Sequence, residues 1–283
     1  MINVADLSYT YPSAESPTLK GLNFNIGRGE IFGFLGPSGA GKSTCQKILY
    51  KTLSKFTGQI DIQGKALQAW GREYFEGIGV GFELPNHYGK LTGKENLELF
   101  AAFYPKEKRA PIMPLLELVG LEQDADKQVD SYSKGMKMRL NFVRAIMHDP
   151  DLLFFDEPTA GLDPINALII KNHIRELKSR GKTIFITTHN MSTADELCDR
   201  VSFIVEGEIK VTKKPSQLKL QYGIDLVKVE LRNGMSSDFS LSQLGVNKAF
   251  LEFIKDEEIL RIHSQESTLE HVFIAVTGKA LKV

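Results

Sequence analysis

Along the first part of the chain, apolar and polar positions alternate in short runs. Ile2, Val4 and Leu7 form one run and Leu22, Phe24 and Ile26 another, which predicts half-buried strands. Glu30-Ile-Phe-Gly-Phe-Leu35 is nearly all apolar, the pattern of a short buried strand. Gly58–Ile62 predicts a further strand, ended by the turn Gln63-Gly64. After about Pro85 the period lengthens. Thr92-Gly-Lys-Glu95 has capping-box spacing, with Thr92 as N-cap, and the helix it opens carries Leu97, Leu99, Phe100 and Phe103. Helical spacing recurs at Pro114–Val119 and from Lys134 to Met147, so residues 86–148 read as a mainly helical insert.

Strands and helices then alternate. Asp151–Phe155, Lys182–Thr188 and Arg200–Val205 read as strands, and Pro164–Arg180 and Ser192–Cys198 as helices. That order implies an α/β fold with a mostly parallel sheet covered on both faces. From Leu226 the pattern changes to a small α+β tail. Strands are expected at Leu226–Leu231 and Ile259–Ile262, and Ser267-Thr-Leu-Glu270 opens a last helix with Leu269, Val272, Phe273 and Val276 on one side. The expected organisation is a main domain over 1–220 and an extension over 221–283.

Composition narrows the classes. The chain has 283 residues, 42% of them hydrophobic, and a formal net charge of zero, and nothing in it suggests a basic arm for nucleic acid or a polybasic membrane anchor. The two cysteines, Cys45 and Cys198, lack metal-ligand spacing and suit a reducing compartment; Cys45 reads best as a packed helix residue. No apolar run approaches the ~20 residues that span a bilayer, and the N-terminus lacks the charge and apolar core of a signal peptide. Any role at a membrane must therefore come through a partner.

The strongest chemical signal is Gly36-Pro37-Ser38-Gly39-Ala40-Gly41-Lys42-Ser43-Thr44. It fits the phosphate-loop pattern, with Gly36, Gly41, Lys42 and Ser43 at the fixed positions and a strand before and a helix after it. Glycines let backbone N–H groups close on phosphate oxygens. Lys42 supplies a point charge, Ser43 a hydroxyl for Mg²⁺, and the helix start its positive dipole end. The expected class is thus a phosphate-loop NTPase. Downstream, Leu152–Phe155 is an apolar strand ending in Asp156-Glu157. Asp156 suits Mg²⁺, directly or through water, and Glu157 suits a general base for water.

With these two motifs the chain resembles the nucleotide-binding subunit of an ATP-binding cassette (ABC) transporter, over about residues 1–210. Four further segments stand in that family's order. Tyr132-Ser133-Lys134-Gly135-Met136 lies at the signature position; Ser133 and Gly135 match, whereas Lys134 and Met136 depart from Leu-Ser-Gly-Gly-Gln. The resemblance implies that Ser133 and Gly135 cap ATP held by the opposite subunit. Ala160-Gly161-Leu162-Asp163 matches the segment that passes between subunits. His189, after Thr187-Thr188, matches the histidine that meets the γ-phosphate. Tyr11 matches the aromatic that stacks on adenine, with Tyr9 as the fallback. Where the family has glutamine, this chain has Glu83, whose carboxylate can still ligate Mg²⁺ but adds negative charge.

The signature and the tail Ser267–Gly278 are similar to those of an export-type subclass whose cassette pairs with a separate integral membrane permease. The implied function is an ATPase at the cytoplasmic face, working with ATP and Mg²⁺ as a dimer of cassettes, with drug, peptide or lipid-type cargo. The other reading is a soluble ABC-type ATPase on ribosomes or nucleic acid. Tandem cassettes, long heptads or a cysteine-rich module would mark it, and the sequence has none of these. A phosphate-loop GTPase or kinase lacks support, because the sequence holds no Asn-Lys-x-Asp guanine motif and the Ser133 segment would go unexplained.

Overall fold

The computed structural model describes residues 1–223, 226–265 and 267–278; Ile224, Asp225, Glu266 and 279–283, which belong to the expected extension, lie outside the described residues. In chain order the elements are β1 (Ile2–Tyr9), β2 (Leu19–Ile26), β3 (Ile31–Leu35), α1 (Lys42–Leu49), β4 (Thr57–Ile62), β5 (Lys65–Ala66), α2 (Glu73–Gly77), β6 (Ile78–Gly81), α3 (Gly93–Ala101) and α4 (Ile112–Leu118). Then come α5 (Lys134–Ile146), β7 (Leu152–Asp156), α6 (Pro164–Ser179), β8 (Thr183–Thr188), α7 (Met191–Leu197), β9 (Arg200–Val205) and β10 (Glu208–Lys213). The remainder are α8 (Pro215–Tyr222), β11 (Leu226–Leu231), β12 (Ser236–Ser240), α9 (Lys248–Phe253), β13 (Ile259–Gln265) and α10 (Leu269–Thr277).

Two compact units divide between Thr212 and Lys213. Helix α8 falls in the second unit because it packs on α10, so the division precedes residue 220. In the first unit, β2-β1-β4-β5 form an antiparallel sheet, and β10-β9-β3-β8-β7-β6 form a second sheet whose pairs from β9 to β6 are parallel. This is the α/β fold with a mostly parallel sheet that the alternation of strands and helices predicts, joined to an antiparallel β subdomain formed by the N-terminal strands. The sheets share a core in which Phe24 of β2 stacks on Phe32 of β3 at 5.8 Å, and Phe32 on Phe185 of β8 at 6.0 Å. Every residue of β3 and β8 is buried, as expected of parallel strands covered on both faces.

Strand β6 and helix α3 are among the elements that depart from the expectation. Strand β6, Ile-Gly-Val-Gly, has no alternation to betray it; its glycines are needed because a Cβ on Gly79 would stand 2.0 Å from the Ala145 carbonyl oxygen. Helix α3 stops before Phe103, which is left 72% exposed.

Between residues 86 and 148 lie α3, α4 and α5. The capping box forms at α3. The Glu95 N–H donates to Thr92 Oγ1 at 3.1 Å, and the Thr92 N–H to Glu95 Oε2 at 2.8 Å, which holds the Glu95 carboxyl below the usual range. In the second unit, β12-β11-β13 form an antiparallel sheet covered by α9, with Val227, Val229, Leu231, Phe239 and Phe250 as its core. The cap of α10 is Thr268 rather than Ser267, accepting from the His271 N–H at 3.3 Å. Among the described residues no helix is long and apolar enough to cross a membrane.

Thr92→Ala removes the side-chain half of the α3 cap. It should cost about 1 kcal/mol and lower the thermal midpoint by about 2–4 °C, while Thr92→Ser keeps most of the stability. Scanning calorimetry of the three proteins reads this out, and an unshifted Thr92→Ala midpoint would show the box to be energetically idle.

Candidate active site

Three parallel strands set the site. In register, Leu35 of β3 lies beside Thr188 of β8, and Asp156 of β7 beside Thr187. The segments after these strands therefore emerge together at one sheet edge, where α/β folds gather their ligand groups. After β3 the chain turns through Gly36–Gly41 into α1. Gly36 passes so close to β9 that a Cβ would lie 2.1 Å from the Ile204 carbonyl oxygen, and Gly41 has φ of +103°. Helix α1 is pinned beneath by Gln46, whose side-chain N–H groups donate to the carbonyls of Phe155 at 3.0 Å and Phe185 at 3.3 Å.

Lys42 is 7% exposed. Its ammonium donates back to the carbonyls of Gly36 at 2.7 Å and Pro37 at 3.0 Å, closing the loop around itself. Burial pushes this ammonium below its ordinary range, while Glu157, Asp156 and Glu83 pull it the other way. The resulting cleft, about 350 Å³, is lined among others by Tyr11, Ser38, Lys42, Ser43, Glu83, Asp156, Glu157 and His189. Gly39, Gly41 and Thr44 also line it. Pro37 and Gly36 enter through the carbonyls that receive Lys42, and Ala40 is buried beneath the loop. At the entrance, Tyr11 meets Tyr9 edge-on at 4.9 Å, and its hydroxyl lies 3.1 Å from Thr44 Oγ1.

The acids sit at the far wall. Asp156 accepts from the Thr187 hydroxyl. Glu157 has φ of +49° and its N–H donates to the Thr187 carbonyl at 2.9 Å. Its carboxylate accepts from Thr188 Oγ1 at 2.7 Å, from the His189 main-chain N–H at 2.7 Å and from His189 Nδ1 at 2.5 Å. A carboxylate only accepts, so Nδ1 carries the proton and Nε2 is left to act elsewhere.

Ser133, Gly135 and Asp163 do not line this cleft. They gather at the starts of two other helices. Ser133 caps α5, accepting from the Met136 N–H at 3.2 Å, and Asp163 caps α6, accepting from Asn166 at 3.0 Å and Ile165 at 3.1 Å, which lowers its pKa. A Cβ on Gly135 would lie 3.5 Å from Leu162, so the two segments adjoin. Lys134, where the family has glycine, lies along Gly161: its Cε would be 2.9 Å from a Cβ there. Cys45 and Cys198 are buried, which pushes both thiols up, and neither lines the cleft.

The groups that pattern reading missed are Thr18, Gln46, Thr187 and Thr188. Thr18 borders the cleft from the loop after β1; Gln46 acts through strand carbonyls distant in sequence, and only the strand register brings Thr187 and Thr188 to the acids.

A family model described as ABC transporter matches residues 19–160. The chain belongs to the ABC transporter family. It is an ATP-binding, ATP-hydrolysing subunit of that family. This ABC subunit is 50% identical over 285 residues to a fluoroquinolones export ATP-binding protein of Mycobacterium tuberculosis, spanning 99% of this chain and 94% of that protein. It is 34% identical over 283 residues to the Nod factor export ATP-binding protein I of Burkholderia orbicola, spanning 93% of each. Among solved structures it resembles a dimeric ATP-binding cassette in a post-hydrolysis state with ADP and phosphate. That likeness has a TM-score of 0.70 and 26% identity, covering 76% of this chain and 98% of that one.

Gln46→Leu fills the same buried space without its donors. It should lower stability by about 1–3 kcal/mol, read from the urea midpoint. An unchanged midpoint would mean that the two strand carbonyls do not depend on Gln46.

Proposed function

We propose that this chain is the cytoplasmic-face motor of an exporter, hydrolysing MgATP in a dimer of cassettes to drive a separate integral membrane permease. The observation that carries the reading is one cleft holding the phosphate loop, a buried lysine and the Asp156, Glu157 and His189 cluster. Lys42 and the loop N–H groups hold the β- and γ-phosphates, and Tyr11 stacks on the base. The donor set of the Ser43 hydroxyl with the Asp156 and Glu83 carboxylates is all hard oxygen, which fits Mg²⁺. When bound there, Mg²⁺ neutralises phosphate charge. Glu157 takes the proton of the attacking water as that oxygen bonds to the γ-phosphorus and ADP leaves with the electron pair. His189 meets the γ-phosphate through Nε2.

Ser133 and Gly135 offer a hydroxyl and an N–H at a helix start, and their distance from their own chain's cleft fits a role on nucleotide held by a second cassette. Asp163 lies on the same surface. Two copies of this chain are the simplest pair, since the residues for both half-sites are present.

The permease contact is assigned to a groove of about 460 Å³ that includes Phe75, Phe82, Phe100, Tyr104 and Arg144. Phe82 of that groove immediately precedes Glu83, and Phe75 and Phe82 remain exposed in it. Relatives named for export of fluoroquinolones and of Nod factor support an exported drug-like, peptide or lipid-type cargo.

Glu157→Gln should abolish multiple turnover while ATP affinity stays within about twofold; turnover close to wild type would remove Glu157 from the base role. Purification of the tagged chain from its own membranes in mild detergent should recover a multi-helix protein in stoichiometric amount. Recovery only with ribosomes or nucleic acid would replace the exporter reading.

A further inference from the structure

Thr187 and Thr188 end β8 side by side, and each hydroxyl meets a carboxylate from the tip of β7. The Thr188 contact is fully specified. Its oxygen accepts from the Asn190 N–H at 3.0 Å, so its one proton is left for Glu157 Oε2 at 2.7 Å. Thr188 is 1% exposed, which removes water as a competitor. The other Glu157 oxygen, Oε1, accepts twice from His189, once from the main chain and once from the ring. A carboxylate offers about four lone-pair sites. With two filled on Oε1 and one on Oε2, the remaining one belongs to the oxygen that Thr188 holds.

We propose that Thr188 is a positioning residue for hydrolysis. It fixes the plane of the Glu157 carboxylate, so that the remaining lone pair on Oε2 is the one that receives the proton of the attacking water. The inference rests on Glu157 being the base. His189 cannot fix that plane by itself, because both of its contacts fall on Oε1 and leave the carboxylate free to turn about them. Thr187 serves Asp156 and not Glu157 with its side chain. The division follows from β8, where the neighbouring Thr187 and Thr188 face opposite sides of the sheet, while Glu157 turns off beyond the end of β7 with φ of +49°.

The test uses the full chain with its permease and compares wild type, Thr188→Val, Thr188→Ser, Glu157→Gln and the Thr188→Val/Glu157→Gln double variant. Single-turnover and steady-state ATP hydrolysis are measured beside ATP affinity. Thr188→Val should lower kcat by about ten- to a hundredfold, with KM and ATP affinity within about twofold. Thr188→Ser should restore most of the rate. In the Glu157→Gln background the valine should bring no further loss, because the hydroxyl acts through the carboxylate.

Wild-type turnover in Thr188→Val, with Glu157→Gln inactive, overturns the proposal and leaves Glu157 as the base. An equal loss from the valine with and without Glu157 also overturns it. Near-normal turnover in Glu157→Gln overturns the base assignment itself. Should Thr188→Val fail to bind ATP, Thr188→Ala read against Thr188→Ser gives the same comparison.

Discussion

The cleft depends on the parallel register of β3, β8 and β7. With Leu35 beside Thr188 and Asp156 beside Thr187, the phosphate loop, the acid pair and His189 leave the sheet at one level. Side chains on a strand alternate, so a slip of one residue in β7 would move Asp156 to the other face of the sheet and shift the turn that carries Glu157. Neither carboxylate would then meet its threonine. The amide of Gln46, bonded to carbonyls of both β7 and β8, ties α1 and hence the loop to that same register. Gly36, against the Ile204 carbonyl, ties it to β9. Position in the cleft is therefore set by backbone contacts between strands rather than by the site residues alone.

Charge in the cleft follows a different logic from charge over the chain. The chain as a whole is neutral, yet the wall opposite Lys42 holds Asp156 and Glu157, with Glu83 at its border. A polyphosphate arriving here meets one buried cation and several anions, so its binding requires further positive charge brought with it. Glu83 deepens this requirement relative to the glutamine of the family pattern. The signature segment shows the opposite change, with Lys134 adding a cation beside Gly161. These two charged departures from the family pattern are opposite in sign and lie on different surfaces.

What could be read from the sequence was local. The Thr92 capping box and the glycine loop are short patterns with a physical reason inside a few residues, and each is found in the structure. The buried strands β3, β8 and β9 were legible as apolar runs. Strand β6 was not, because two of its four residues are glycines that carry no pattern. Strand β12, Ser-Ser-Asp-Phe-Ser, is polar but for Phe239 and gives no strand signal. The hydroxyls of Thr187 and Thr188 look like ordinary β-branched strand residues; their partners lie 31 residues away in sequence, and nothing local marks them.

The way Lys42 is held bears on how this site can be probed. One side chain both carries the charge and braces the loop through the Gly36 and Pro37 carbonyls. Truncating it strips two backbone acceptors of their partner along with the ammonium, so the loop would relax at the same time as its field weakens. Arginine keeps the charge, but its flat, wider head does not reproduce a compact donor sitting between two carbonyls. At this position electrostatic strength and loop geometry are one variable, and a substitution there measures the loss of both together.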